Sequence, residues 1–539
     1  MSASADSPAP PLGATPAPAL PIAWFGLVAV LLGTFISTLN GRLSVFGLAD
    51  VRGAMHAGFD EGAWITTAQT VAQMLIAPVA IWVGTIFGPR RVLCIAAGAF
   101  AVISLIEPFS PNLPTLLIFQ FAGGLATGFF VPLTLSFILR NTPPAAWAWG
   151  IAIYALNLEL SLNISASLEG WYVDHLSWRW IFWQNVPLAA AMAACLHFGV
   201  RPDPPPPPQR APADIYGLAA SGIGLALIYA GLDQGNRLDW LNSGLIWGLL
   251  LSGALLVAAF FVHEARTAHP FVNLKVAFAA PLPRLLVLIA FLRLTILATA
   301  YLIPQYLQAV RGFRALQVGQ SLLWIAAPQL IICPLAGFLL RRADPRLISS
   351  VGFILVAIAC LMVAHGLTPV WGSDQFLPSQ LIQAVGQSFA LSGILFFAVL
   401  HLRPEDAITF GAAVQTARLM GGQIGTAFVV TFARVRTQIA SNLIGQHIHA
   451  GDVMLAQRLQ AYGRAVGSPN DPAGAASRAV AVLGGVVRSL AATQGVIDTF
   501  VAVAFLTAVA LILAVVSGAA PIGPASHRPL FGPRPAPRS

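Results

Sequence analysis

Residues 24–48, WFGLVAVLLGTFISTLNGRLSVFGL, form an apolar run whose last third carries Asn40, Gly41 and Arg42. At ~1.5 Å per residue, a helix of this length reaches ~37 Å, enough to cross a hydrocarbon core of ~30 Å. An arginine at mid-depth costs ~2.5–3.5 kcal/mol or more, so it faces a polar cavity or extends to the membrane interface. For Arg42 both positions stay open. Helical spacing places Asn40 and Arg42 on different faces, and the run therefore predicts a membrane-spanning helix with two separate polar contacts.

The composition of the whole chain agrees with a membrane protein. Of 539 residues, 57% are hydrophobic and only 9% are charged, and the mean hydropathy is +0.77. A soluble globular protein carries about 25% charged residues, so membrane lipid is the expected surrounding. The net charge of +9 comes from basic residues dispersed among apolar runs, which fits membrane orientation and not a nucleic-acid partner.

Apolar runs long enough to span a membrane recur along the chain, and we count fourteen. They lie at 22–48, 62–87, 91–107, 113–139, 144–168, 178–200, 214–232, 243–263, 285–307, 318–340, 346–365, 376–400, 407–433 and 496–517.

The loops between these runs predict the orientation. With the N-terminus inside, the inner loops and the C-terminal tail hold fifteen Lys and Arg residues, whereas the short outer loops hold five. The outer five are Arg52, Arg179, Arg237, Arg311 and Arg314. Because basic residues concentrate on the cytoplasmic side, both termini are predicted to be cytoplasmic.

Segments outside the runs divide the chain further. Residues 1–21 and 518–539 are predicted to be cytoplasmic tails, the first of them disordered, and 201–213 to be a stiff cytoplasmic linker with five consecutive prolines. Residues 214–263 form an inserted pair of spans, expected to be peripheral. Residues 434–495 form a long periplasmic segment, predicted as two helices broken at 467–472.

An internal repeat connects the two ends of the membrane region. GPRRVL at 88–93 is echoed by DPRLI at 344–348, and QFAG at 120–123 is echoed by QAVG at 383–386. The repeat predicts two six-helix halves, 22–200 and 285–517, with a substrate site between them, which is the plan of a transporter.

Three motifs carry a resemblance to a known family. WYVDHLSWRWIFWQNVP at 171–187, DIYG at 214–217 and ARLMGGQIG at 417–425 closely resemble the fourteen-helix drug:proton antiporters (EmrB/QacA-type) of the major facilitator superfamily. The resemblance implies an all-α integral membrane protein with 6 + 2 + 6 transmembrane helices. The long segment before the last span is similar to that of EmrB-like pumps, which implies a periplasmic adaptor and an outer-membrane channel as partners.

The chain also departs from this family. Asn40 stands where the family's first-helix Asp is expected, Gln120 replaces the Arg of the fourth-helix motif, and Thr85 replaces the Asp that precedes Arg90 and Arg91. Ser165-Ala166 and Glu169-Gly170 replace the Gly-Pro and Gly-Gly pairs of the fifth helix. These changes remove the usual proton-linked residues, so the family's coupling mechanism cannot be transferred to this chain.

Proton coupling requires a carboxylate whose proton affinity the protein can change. Glu159 is the one acidic residue that the predicted boundaries place well inside a span, with Asn163 one turn further on the same face. A structural hydrogen-bonding role for Glu159 is the alternative. The candidate substrate and coupling residues are Asn40, Arg42, Gln120, Glu159, Arg293, Gln383 and Arg418. Arg418 has an equally open structural interpretation.

No pattern indicates catalysis, and we expect neither a cofactor nor a metal. His447 and His449 have no third ligand nearby, and the four cysteines each stand alone in an apolar segment. No Walker A sequence occurs, so the chain is not itself an ATP-driven pump.

These observations predict a proton-coupled exporter of toxic small molecules in a bacterial inner membrane, possessing no enzymatic activity. Amphipathic organic anions are the expected substrate class, because Arg42, Arg293 and Arg418 outnumber Glu159. Two alternatives remain: an importer or facilitator of organic acids, and a membrane sensor without transport.

Overall fold

The computed structural model describes residues 22–200, 214–267, 282–401, 407–449, 452–466 and 472–517. Within these ranges all regular structure is helical, which confirms the all-α class. The predicted tails 1–21 and 518–539, the linker 201–213 and all but the last residue of the predicted break at 467–472 lie outside the described ranges.

The first half of the chain contains ten α-helices, of which α6–α7 and α9–α10 each make one interrupted span. They are α1 (Ile22–Phe46), α2 (Leu48–Ala54), α3 (Phe59–Gly62), α4 (Trp64–Phe87), α5 (Pro89–Ile106), α6 (Leu113–Thr127), α7 (Phe130–Asn141), α8 (Trp147–His175), α9 (Trp180–Trp183) and α10 (Asn185–Gly199).

The inserted pair and the second half follow. The helices are α11 (Ile215–Gly235), α12 (Gly244–Arg266), α13 (Leu282–Ala309), α14 (Ala315–Leu340), α15 (Pro345–Gly366), α16 (Leu377–Val399), α17 (Ala407–Gln446), α18 (Val453–Val466) and α19 (Pro472–Val516).

Among the described residues, thirteen segments are long and apolar enough to cross a membrane, and they match thirteen of the fourteen predicted runs. The remaining run, 407–433, folds as part of α17 but carries Gln415, Arg418 and Gln423, whose side chains are buried in the protein. Its polar face is therefore covered by neighbouring helices. The chain is a multi-pass membrane protein.

Small residues allow α17 to approach α13 closely. Gly421 and Gly425 lie one turn apart, and a Cβ at Gly425 would stand 2.6 Å from the Cα of Leu294. Close backbone contact through small residues is the usual basis of helix association in membranes, where apolar burial gives little driving force.

Two arginines show the internal repeat in three dimensions. Arg90 donates hydrogen bonds to the carbonyl oxygens of Leu196 (3.1 Å) and His197 (2.7 Å), at the C-terminal end of α10. Arg346, 256 residues later, donates to the carbonyl oxygen of Ser517 (2.9 Å), just after α19. Each arginine neutralises the partial negative charge at the end of its half's last helix.

These contacts lie at the end of the bundle where α1 begins and α19 ends, which we call the terminal end; the other we call the opposite end. A continuous apolar cluster from both halves fills the terminal end. It includes Leu135, Ile138 and Ile151 from the first half and Leu288, Phe396 and Phe410 from the second. Since these side chains are buried against one another, the two halves are closed together at the terminal end.

The inserted pair divides into an exposed helix and an anchored one. In α12 most side chains of the apolar window face outward, as expected for a peripheral position. Beside it, α11 is anchored to α4, because Thr67 donates to Asp233 and accepts a hydrogen bond from Gln234 (2.6 Å). Just after α11, Trp240 donates to Thr431 of α17 (3.0 Å). The segment that ends α11 thus contacts both halves.

The long segment before the last span continues the membrane helices. α17 runs without interruption to Gln446, and α19 begins at Pro472, far ahead of its membrane part. Arg436 pairs with Asp498 at 2.6 Å and connects the extension of α17 to the start of the membrane part of α19. The predicted helices are present, but the structure adds a break between Gln446 and Val453, where α17 ends and α18 begins.

Candidate functional site

A cavity of about 870 Å³ lies between the two halves at the opposite end of the bundle. Its walls come from α1, α2 and α8 in the first half and from α13 and α14 in the second. Pockets for drug-sized molecules have about 300–1,000 Å³, so this cavity is large enough to hold one.

Six charged residues line the cavity, at two depths. Asp50, Asp174 and Arg314 are exposed at the rim, where solvent and salt screen them. Arg42 is half-buried and Glu169 is fully buried, so these two dominate the field inside. Arg52, also half-buried, contacts the ring of Phe59 (5.2 Å) near the rim.

Arg42 lies in the cavity wall. Its guanidinium stands 5.2 Å from the centre of the Phe46 ring, and its Nε is buried without a hydrogen-bond partner in the described part of the chain. Because the charge lies in the cavity wall, it attracts an anionic group on a molecule in the cavity.

Asn40 points elsewhere, as the helical spacing predicts. Its Oδ1 accepts a hydrogen bond of 2.7 Å from Asn185, and its side chain is buried between α1 and α10. The structure therefore places Asn40 within the first half, away from the cavity and from the other candidate residues.

Glu159 and Arg293 meet across the two halves. The Glu159 Oε1 and the Arg293 Nη1 are 3.4 Å apart, and both side chains are almost completely buried. Glu159 Oε2 and Arg293 Nε have no hydrogen-bond partner among the described residues. Desolvation offsets much of the attraction in a buried ion pair unless further hydrogen bonds satisfy the remaining atoms. This pair is therefore incompletely satisfied.

Two further polar contacts join the halves at the same level. Arg418 donates to Thr38 of α1 (3.2 Å) and to Gln415 on its own helix (2.8 Å). Asn163, one turn from Glu159, donates to Gln329 of α14 (3.4 Å). With the Glu159–Arg293 pair they form what we call the polar layer.

The two glutamines of the internal repeat lie outside both the cavity and the polar layer. Gln383 donates to Thr299 (2.8 Å) and connects α16 to α13. Gln120 is buried in α6 with its Nε2 unpartnered. Among the described residues, neither forms a hydrogen bond with Glu159, Arg293 or Arg418.

Glu169 is a candidate that sequence reasoning named only as a departure from the family. The predicted span ended at 168, but α8 continues to His175, so a second carboxylate lies inside a membrane helix. Its side chain is 0% exposed, and neither carboxylate oxygen has a hydrogen-bond partner among the described residues. Asp233 in α11 is a third, bonded to Thr67.

The site therefore has three levels along the bundle axis. The cavity with Arg42 and Glu169 is at the opposite end, the polar layer lies deeper, and the apolar cluster closes the terminal end. None of Glu159, Arg293 and Arg418 lines the cavity.

Comparison with known proteins gives a consistent result. A family model described as Major Facilitator Superfamily matches residues 30–426. The chain is 26% identical over 445 residues to the probable multidrug resistance protein EmrY of Escherichia coli, covering 80% of this chain and 83% of that protein. It is 23% identical over 437 residues to the fatty acid resistance protein FarB of Neisseria gonorrhoeae, covering 79% and 84%.

Solved structures support the same fold. The human organic anion transporter MFSD10 aligns with a TM-score of 0.58 and 15% identity, over 92% of this chain and 98% of that one. The proton:xylose symporter XylE aligns with a TM-score of 0.55 and 10% identity, over 92% and 96%.

Proposed function

Since the chain belongs to the Major Facilitator Superfamily, and is therefore a membrane transporter and not an enzyme, we propose that it exports toxic amphipathic compounds, with organic anions preferred, from a bacterial cytoplasm across the inner membrane. The arrangement of the two halves carries this proposal. They are separated by a cavity at one end and sealed by an apolar cluster at the other. Transport would occur when the halves rock and exchange the open and sealed ends.

The orientation in the membrane follows from the charge count. Basic residues favour the cytoplasmic side, so the terminal end is assigned to the cytoplasm and the cavity to the periplasm. In this assignment the structure is outward-open, which for the proposed exporter is the state that releases substrate. The return to the inward-open state requires the apolar cluster and the polar layer to separate.

Glu159 is the proposed coupling residue. When the halves separate, Arg293 moves away and the carboxylate loses its counter-charge. A bare carboxylate in the membrane interior is costly, so binding of a proton would accompany that separation. The names of EmrY and FarB state no coupling ion, and the proposal rests on the buried pair across the halves.

The preference for anions rests on Arg42. It is the half-buried cation of the inner cavity wall, and no carboxylate in the described part of the chain pairs with it. A close ion pair is worth ~4 kcal/mol at an effective dielectric constant of 20, before desolvation is subtracted. FarB is named as a fatty acid resistance protein and MFSD10 as an organic anion transporter, and both names agree with this preference.

Substitution of Arg42 tests the substrate class. In Arg42→Gln we expect the KM for an aromatic carboxylate to rise ~10-fold, a loss of ~1.4 kcal/mol, with no change for its uncharged amide. Arg52→Gln removes the same charge nearer the rim and is the matched control, with a change below ~3-fold expected because solvent screens it more. Both are measured as transport in proteoliposomes.

Two results would contradict the anion preference. One is export of the amide and of a quaternary ammonium compound as efficiently as the acid by the wild type. The other is an equal effect of Arg42→Gln on the acid and on the amide.

The helical extensions support an adaptor partner. Val435, Ile439 and Leu443 follow one another at four-residue spacing on α17 and are 43%, 41% and 53% exposed. Beyond the membrane, such an apolar stripe is typical of a protein-binding surface. We infer that this stripe binds a periplasmic adaptor, which connects the transporter to an outer-membrane channel.

Charges placed on the stripe test this binding. Ile439→Glu/Leu443→Glu is expected to reduce efflux from intact cells at least ~10-fold, because charged groups would have to be desolvated in the interface. Transport by the purified protein in proteoliposomes should stay within ~2-fold of wild type. Gln438→Glu/Asn442→Glu adds the same two charges at neighbouring exposed positions and should leave efflux normal. Full efflux by the stripe variant would refute the adaptor surface.

A further inference from the structure

We propose that Glu169 is a proton-binding gate of the periplasmic cavity: a proton taken up there after substrate has left allows the outer ends of the two halves to close. The inference rests on the proposed function, since closure has a role only if the halves rock. It assigns a second protonatable site, distinct from Glu159 in the polar layer.

The first observation is the condition of the carboxylate itself. Glu169 forms part of the cavity wall, yet its side chain has no exposed surface and both oxygens lack a hydrogen-bond partner among the described residues. Its Oε1 would lie 3.3 Å from a Cβ at Gly47, where α1 meets α2. A carboxylate that is neither solvated nor paired is stabilised by binding a cation, and the smallest is a proton.

The second observation concerns the charged groups around Glu169. Arg42 from α1, Asp50 and Arg52 from α2, Asp174 from α8, Tyr301 from α13 and Arg314 from α14 line the same cavity. The helix α9 contacts Gly47 through Ile181 and contains no titratable residue. Although Asp50 is exposed at the rim, partial desolvation and the neighbouring Asp174 raise its pKa above the ordinary value, so the rim also favours bound protons.

A proton fits this site better than a metal ion. The described residues contain no group of three or more His, Cys, Asp or Glu side chains able to hold a metal. Hard cations such as sodium and calcium require several oxygen ligands at once, whereas a proton needs one carboxylate oxygen. The step is a reversible transfer of H⁺ from water in the cavity to one Glu169 oxygen.

The third observation connects Glu169 to the second half. A Cβ at the adjacent Gly170 would collide with the backbone of Leu316, and one at Gly319 would collide with Ser167. The outer part of α8 is therefore in direct contact with the outer part of α14. A charge on Glu169 must be hydrated to be stable, which would separate these helices. The contact between them therefore corresponds to the neutral acid, the form from which the cavity can close.

The test measures closure directly and does not require transport. Two spin labels report the distance across the cavity mouth, one at Gly53→Cys and one at Val370→Cys. A Cβ at Gly53 meets nothing within 4 Å, and Val370 is 71% exposed, so both positions accept a label. The background has alanine at the four native cysteines. Lowering the pH should shift wild type from the long to the short distance, and Glu169→Gln should show the short distance at every pH. Glu61→Gln, an exposed acid at the same end, is the matched control and should behave as wild type.

Each result decides the proposal. It is overturned if wild type shows no pH-dependent change, if Glu169→Gln keeps that change, or if Asp50→Asn or Asp174→Asn abolishes it instead. A shift caused by sodium at constant pH would replace the proton with a metal ion and overturn it also. Should Glu169→Gln not fold, Glu169→Asp must move the midpoint; an unchanged midpoint overturns the proposal. Absence of substrate flux in proteoliposomes would refute the proposed function alone, since the distance change is independent of substrate.

Discussion

In Glu159→Gln, the rate of transport driven by a pH gradient is expected to fall at least ~100-fold, while exchange of labelled for unlabelled substrate at equal pH continues. Glutamine keeps the size of the side chain and can still meet Arg293, but it cannot bind and release a proton. The two assays, in proteoliposomes, separate proton movement from substrate movement.

Another buried carboxylate provides the control for this experiment. Glu107 is 3% exposed at the end of α5, outside the cavity and the polar layer, and Glu107→Gln should keep gradient-driven transport. If Glu159→Gln retains that transport as well, Glu159 is not the coupling residue. If it loses exchange too, Glu159 is required for substrate movement itself.

Arg293→Met is expected to destabilise the folded protein by ~3–5 kcal/mol, because it leaves Glu159 buried without its counter-charge. The double variant Arg293→Met/Glu159→Leu removes both charges and should recover most of that loss. Reversible denaturant unfolding in detergent micelles measures the free energy of unfolding for each variant.

A second arginine gives the comparison for Arg293. Arg418 contacts Gln415 and Thr38 and has no carboxylate within hydrogen-bond distance in the described ranges, so Arg418→Met leaves no partner charge behind there. Its expected cost is that of lost hydrogen bonds, ~1–3 kcal/mol. The single variant Glu159→Leu completes the comparison. If the loss in Arg293→Met/Glu159→Leu equals the sum of the losses in Arg293→Met and Glu159→Leu, the two side chains do not interact and the polar layer is wrongly described.

Much of the fold could be predicted, because each membrane helix is marked by its own apolar run in the sequence. The run at 22–48 became α1 (Ile22–Phe46), and the different faces of Asn40 and Arg42 followed from helical geometry alone. The run at 407–433 shows the limit of hydropathy: its polar side chains are covered by other helices, which a count along the chain cannot detect.

The site was less predictable, since it depends on contacts between distant residues. Glu159 and Arg293 were both candidates, but 134 positions separate them and only the packing of the two halves brings them together. In the sequence, Glu169 was visible as an acidic residue at a position where the resembling family has a pair of glycines. It was missed as a site residue because the predicted span ended at 168, one residue too early. Hydropathy falls near charged residues, so a span predicted from hydropathy ends too early when a buried acid lies near the end of the helix.

The central claim is that the terminal end is cytoplasmic and that substrate leaves by the cavity in exchange for protons. Uptake of an aromatic carboxylate into everted inner-membrane vesicles tests it most directly, because their lumen corresponds to the periplasm. We predict that acidifying the lumen drives accumulation inside the vesicles, and that collapsing the pH gradient stops it. Accumulation that ignores the gradient, or net movement of the acid out of the acidified vesicles, would contradict the account.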